Sequence, residues 1–150
     1  SLSLFFTLSA YSQTPEDINL VQSIWGKEKR DMIEQVMDIP SNQEAAFWEE
    51  YGVYESARKK LGKEKFDIIS KYADQYGKFT DENITDLMNR SIKNNMDIQK
   101  LYKKTYKSMS KNVSPKTAAH FLQLENYIMT AIQLEIQESI PFIDEIKLEE

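Results

Sequence analysis

Hydrophobic positions recur along this chain at helical spacing in four successive segments, each opened by residues suited to a helix start. Thr14-Pro15-Glu16-Asp17 opens the first, with a capping hydroxyl, a proline for the first helical position and two acids at the positive end of the dipole. Ile18, Val21, Trp25, Met32 and Val36 follow as its stripe, interrupted by the charged run Lys27 to Arg30, until Asp38-Ile39-Pro40 ends it. Ser41 and Glu44 have capping-box spacing for a second helix. Its stripe is Phe47, Tyr51, Tyr54, Leu61, Ile68 or Ile69, Tyr72 and Tyr76, running in phase through Gly62 to Gly77.

Thr80 caps the third segment, with Phe79 and Ile84 placed as a hydrophobic staple. Its stripe is Ile84, Leu87, Met88, Ser91, Asn95, Ile98, Leu101, Tyr102, Thr105 and Met109, close to heptad spacing. Ser114-Pro115 opens the fourth, whose stripe is Ala118, Phe121, Leu122, Ile128, Ile132 and Ile136 before Ile140-Pro141. The connections at Asp38–Pro40, Gly77–Phe79 and Asn112–Val113 are short, which makes neighbours antiparallel. The predicted fold class is therefore all-α: four long antiparallel helices, as an up-down bundle or as elongated helical hairpins. Helices of roughly 30 residues reach about 45 Å at 1.5 Å per residue, a length that suits an extended shape or a homodimer.

Composition narrows the functional classes. Only four glycines and four prolines punctuate 150 residues, in keeping with few turns. A net charge of -5 argues against a nucleic-acid partner. Cysteine is absent, which removes thiol chemistry and thiolate metal sites. The lone histidine, His120, supplies neither the Glu-x-x-His pairs of di-iron bundles nor a zinc site. No glycine-rich phosphate loop or strained nucleophile turn occurs, so the expectation is a non-enzyme without cofactor or metal.

Residues 1–12 read as the end of a secretory signal peptide: the apolar run Leu2, Leu4, Phe5, Phe6, Thr7, Leu8 precedes Ala10-Tyr11-Ser12. Cleavage after Ser12 would leave Gln13 first, and residues 13–150 as a single helical domain in the periplasm or secreted. No other segment approaches the length for stable membrane insertion.

Two groups of residues stand out as candidate sites. Phe47, Trp48, Tyr51 and Tyr54 are dense enough to pack a core or to line a groove for a partner. Arg58, Asn95, Gln123 and Glu125 form a candidate polar core. Arg58 and Glu125 sit where their stripes call for hydrophobes, so each needs a partner. Helices two and four run parallel in an up-down array, which suggests that Arg58 and Glu125 pair with each other. The alternative is that Arg58 reaches water and Glu125 bonds to a tyrosine.

These residues also carry a resemblance. Phe47-Trp48-x-x-Tyr51-x-x-Tyr54, Ile69-x-x-Tyr72-Ala73, Phe79-Thr80-Asp81, Phe121-x-Gln123-x-Glu125-Asn126 and Ile140-Pro141 resemble, in that order, a family of small exported helical bacterial proteins of unknown function. The signal-peptide ending followed by Gln13 is similar to that of Bacteroidetes secreted proteins. Phe79-Thr80-Asp81-Glu82-Asn83 more loosely resembles the Leu-Thr-x-x-Gln motif of Spy/CpxP-type periplasmic chaperones, with Phe for Leu and Asn for Gln. The family of unknown function brings no activity with it, and the looser resemblance implies a chaperone-like role. The leading expectation is a non-enzymatic exported interaction protein with a protein partner, chaperone-like in function. A small-ligand or metal-responsive sensor is the other expectation.

Overall fold

The computed structural model describes residues 15–141 and 143, with side chains from Gly26 onward; the signal-peptide reading of residues 1–12 lies outside them. Four helices follow in order: α1 (Pro15–Val36), α2 (Glu44–Gln75), α3 (Asp81–Asn112) and α4 (Pro115–Ser139). No strand occurs among the described residues. At 32 residues each, α2 and α3 extend about 48 Å.

Contacts between helices define an up-down-up-down bundle. Lys29 meets Glu55 and Arg30 stacks on Trp48, so α1 is antiparallel to α2. Arg90 bonds Glu64 and Asp67 while Asn112 bonds Glu50, which makes α2 and α3 antiparallel along their length. Thr117 meets Gln43 and Tyr72 meets the carbonyl of Pro141, so α4 runs parallel to α2.

Local chemistry sets the boundaries. Thr80 and Asn83 exchange side-chain and backbone hydrogen bonds in a full capping box at the start of α3. Phe79 packs on Tyr72 and Tyr76, with ring centroids 5.1 and 6.1 Å away, and closes the α2–α3 turn. Gly77 there has φ of 78°, a conformation glycine adopts without Cβ strain. Ser114 accepts from the Thr117 amide and Pro115 fills the first turn of α4.

The start of α2 departs from expectation. Gln43, not Ser41, is the N-cap, and it has no side-chain cap bond. A turn from Pro40 to Gln43 carries the chain past Ser41, and the Gln43 side chain is engaged elsewhere: its Oε1 accepts from the Ser114 and Thr117 hydroxyls. It ties the start of α2 to the start of α4 instead of capping its own helix.

The core lies where α1 ends, α2 begins, α3 ends and α4 begins. Ile33, Met37, Phe47, Tyr51, Tyr54, Met109, Ala118 and Phe121 form one buried cluster. The buried face of α1 sits one residue beyond the expected stripe: Ile33 and Met37 are buried, Met32 is half-buried and Val36 is exposed. Toward the opposite end the interior thins to Ile68, Leu87 and Ile128, with Asn94 donating to the Leu61 carbonyl at 2.9 Å.

Candidate functional site

At the centre of the bundle, directly below the aromatic core, four charged side chains are taken out of water together. Lys29 comes from α1, Glu55 and Arg58 from α2, and Glu125 from α4. Lys29 and Glu125 are fully buried, while Glu55 and Arg58 keep 8% and 9% of their surface. The Lys29 ammonium donates to Glu55 Oε1 at 2.6 Å and to Glu125 Oε1 at 2.7 Å. The guanidinium of Arg58 makes a fork onto Glu55, 2.9 Å from Nε to Oε1 and 3.1 Å from the second nitrogen to Oε2. Tyr54 donates its hydroxyl to Glu125 Oε1 at 2.5 Å. The Lys29 ammonium also lies 5.3 and 5.9 Å from the Tyr54 and Tyr51 ring centres, within cation–π range.

Two cations and two anions make the cluster formally neutral, the condition under which buried charge is tolerable. Two of its polar atoms, Glu125 Oε2 and the Tyr51 hydroxyl, are buried without a hydrogen-bond partner in the protein.

Position in this cluster moves the titrations. Burial acts most strongly on Glu55 and opposes its charge, but the Arg58 hydrogen bonds and the Lys29 ammonium together outweigh it, so the Glu55 carboxyl is held below its ordinary value. Burial likewise opposes the charge of Arg58, and pairing with Glu55 reverses it into a raised pKa. Burial first, then the neighbouring glutamates, push the Tyr51 hydroxyl up. Burial, the Glu125 charge and the hydrogen bond to Glu125 do the same to Tyr54. Both tyrosines act as hydroxyls, not phenolates.

A depressed folded pKa at Glu55 means that its contribution is complete above the ordinary glutamate value of 4.5 and is lost as pH falls through the lower folded value. Urea unfolding of the wild type and of Glu55→Gln from about pH 6 to about pH 3 is expected to converge toward the acid end. Parallel profiles would show that Glu55 gains nothing from its partners.

The sequence-derived candidates divide cleanly. Arg58 and Glu125 are both at the centre, as their places on apolar stripes require, but no direct hydrogen bond joins them. Arg58 is satisfied by Glu55 one turn earlier on its own helix, and Glu125 by Lys29 and Tyr54; Lys29 bridges the two halves. The expected Arg58–Glu125 pair is corrected accordingly, and the tyrosine partner of Glu125 is the alternative that the structure shows. Asn95 and Gln123 do not belong to a polar core: both are exposed, and the buried amide of α3 is Asn94. Phe47, Trp48, Tyr51 and Tyr54 do not line a groove. Phe47, Tyr51 and Tyr54 are core residues packed around Phe121, and Trp48 covers them from the side, edge-on to Phe47 at 4.9 Å.

Lys29 and Glu55 were not singled out from the sequence. Lys29 did leave a signal there, standing four residues after Trp25 and four before Ile33, in line with the α1 stripe. Among the described residues, no three His, Cys, Asp or Glu side chains converge as metal ligands, and no helix is long and apolar enough to cross a membrane.

Fold and site together define an all-α helical bundle with a neutral ionic centre. The chain matched no family model, no curated protein and no solved structure.

Proposed function

We propose that the protein is a non-enzymatic, exported helical interaction protein that holds its partner on an apolar face in a chaperone-like way. The observation that carries this reading is on α3. Met88, Ile92 and Met96 succeed one another at every fourth residue, and each leaves half or more of its surface in water. That spacing makes a continuous strip about 12 Å long, unpartnered by any helix of the bundle. Two of its three residues are methionine, whose unbranched, polarizable side chain adapts to differently shaped apolar partners. The ionic centre, by contrast, is occupied by its own mutual contacts and reads as structural. The export reading is supported by the leader-like run at residues 1–12.

The purified protein is expected to suppress aggregation of an unfolding client at near-stoichiometric ratio without ATP. Ile92→Glu with Met96→Glu is expected to abolish the effect with no loss of helicity, because both positions are exposed. Light scattering with several unrelated clients checks this. No suppression by the wild type, or full suppression by the double variant, would overturn the reading.

A further inference from the structure

The half of α3 that follows the methionine strip has a different character. From Ile98 to Leu124 the chain contains no acidic residue and six lysines, although acidic residues outnumber basic ones 24 to 19 overall. Lys100, Lys103, Lys104, Lys107 and Lys111 are all exposed on α3, and Lys116 is exposed in the first turn of α4 beside them. Lys100, Lys104, Lys107 and Lys111 follow at intervals of four, three and four, so they share one face of the helix. Lys100 lies 3.6 Å from Asp97. Among the described residues, Lys103, Lys104, Lys107, Lys111 and Lys116 have no ion-pair partner, whereas α2 and the first half of α3 are laced with them.

We propose that this lysine face seats the protein on the surface of an anionic phospholipid bilayer. Three features favour a bilayer. A run of four to eight unpaired basic residues on a helix is the pattern that anionic headgroups attract. The cations are all lysine, with no arginine from Ser91 to Glu150, so the face offers point charges on flexible stems instead of planar forks for defined phosphate contacts. That chemistry suits a diffuse anionic plane better than a particular nucleic-acid backbone or a single carboxylate. An apolar group also borders the charges: Met96, 54% exposed, lies one turn before Lys100 at the edge of this face. A methionine at the acyl boundary adds apolar contact to the electrostatic attraction. The attraction is reversible and screened by salt.

The test is co-sedimentation with vesicles of phosphatidylcholine alone and of phosphatidylcholine with phosphatidylglycerol, alongside a single-stranded oligonucleotide as competitor. The wild type is expected to bind only the anionic vesicles and to leave them in high salt. Lys103→Gln with Lys104→Gln and Lys107→Gln is expected to weaken binding by about a hundredfold, at roughly fivefold per lysine. The three side chains are exposed and unpaired, so circular dichroism should report an unchanged fold, and client protection through the methionine strip should persist. No binding to anionic vesicles at low salt overturns the proposal. So does equal binding to both vesicle types, an unaffected triple variant, or displacement from vesicles by a trace of oligonucleotide.

Discussion

Replacing Lys29 by methionine is expected to destabilise the protein by about 3–5 kcal/mol, a large share of the roughly 5–15 kcal/mol that a domain possesses. The methylene stem is conserved by this change, so the loss comes from charge. Glu55 and Glu125 both accept from the Lys29 ammonium, at 2.6 and 2.7 Å, and Glu125 is fully buried. Without Lys29, Glu55 still has the Arg58 fork, but Glu125 retains only the Tyr54 hydroxyl and becomes an uncompensated buried carboxylate. Adding Glu125→Leu to Lys29→Met removes that carboxylate and is expected to recover much of the loss. Recovery is incomplete, because Tyr54 then has a buried hydroxyl with no acceptor, a penalty of about 1–3 kcal/mol. Tyr54→Phe in the triple variant relieves it. Urea denaturation of the three single variants and their combinations measures the couplings. A Lys29→Met protein within about 1 kcal/mol of wild type would show that the ammonium is not the keystone of the cluster.

The same residues explain what a reader of the sequence can and cannot reach. Helix number, order and direction follow from periodicity and from start signals such as Thr80 and Ser114-Pro115, all of which act within a few residues. Arg58 and Glu125 are legible because each is a lone charge in an apolar stripe. Their partners are not, since a stripe position says that a charge is buried and nothing about which helix answers it. Lys29 is masked by company: Lys27, Glu28, Arg30 and Asp31 surround it in sequence, and only the 100° turn between successive residues separates it from solvated neighbours. Asn94 and Asn95 are one residue apart, and heptad fitting through Ser91 and Ile98 favours Asn95. Asn94, seven residues from both Leu87 and Leu101, is the one that turns inward. The aromatic cluster has the same signature in sequence whether it fills a core or lines a groove. Phe121 decides it, by arriving from α4 in the midst of three of those rings.

Phe121→Ala is accordingly the second large effect, about 3–5 kcal/mol. Phe121 is fully buried, and its ring stands nearly perpendicular to those of Phe47, Tyr51 and Tyr54 at 5.7, 5.7 and 5.3 Å. Deleting it removes the apolar burial, leaves a cavity bounded by three rigid rings that cannot collapse fully, and forfeits three edge-to-face contacts. Phe121→Leu keeps most of the volume and loses only the ring geometry, so it is expected to cost less, about 1–2 kcal/mol. The effect reaches the ionic centre through Tyr54, whose ring packs on Phe121 while its hydroxyl holds Glu125 one turn further along α4. When Phe121 is truncated the Tyr54 ring loses its stop and its hydroxyl loses its aim. Tyr54→Phe should therefore cost less in the Phe121→Ala background than in the wild type, a coupling read from urea denaturation of the four proteins. Strict additivity would mean that the aromatic core and the ionic cluster are independent layers, and a loss below about 1 kcal/mol for Phe121→Ala would mean that this end of the bundle is not close-packed.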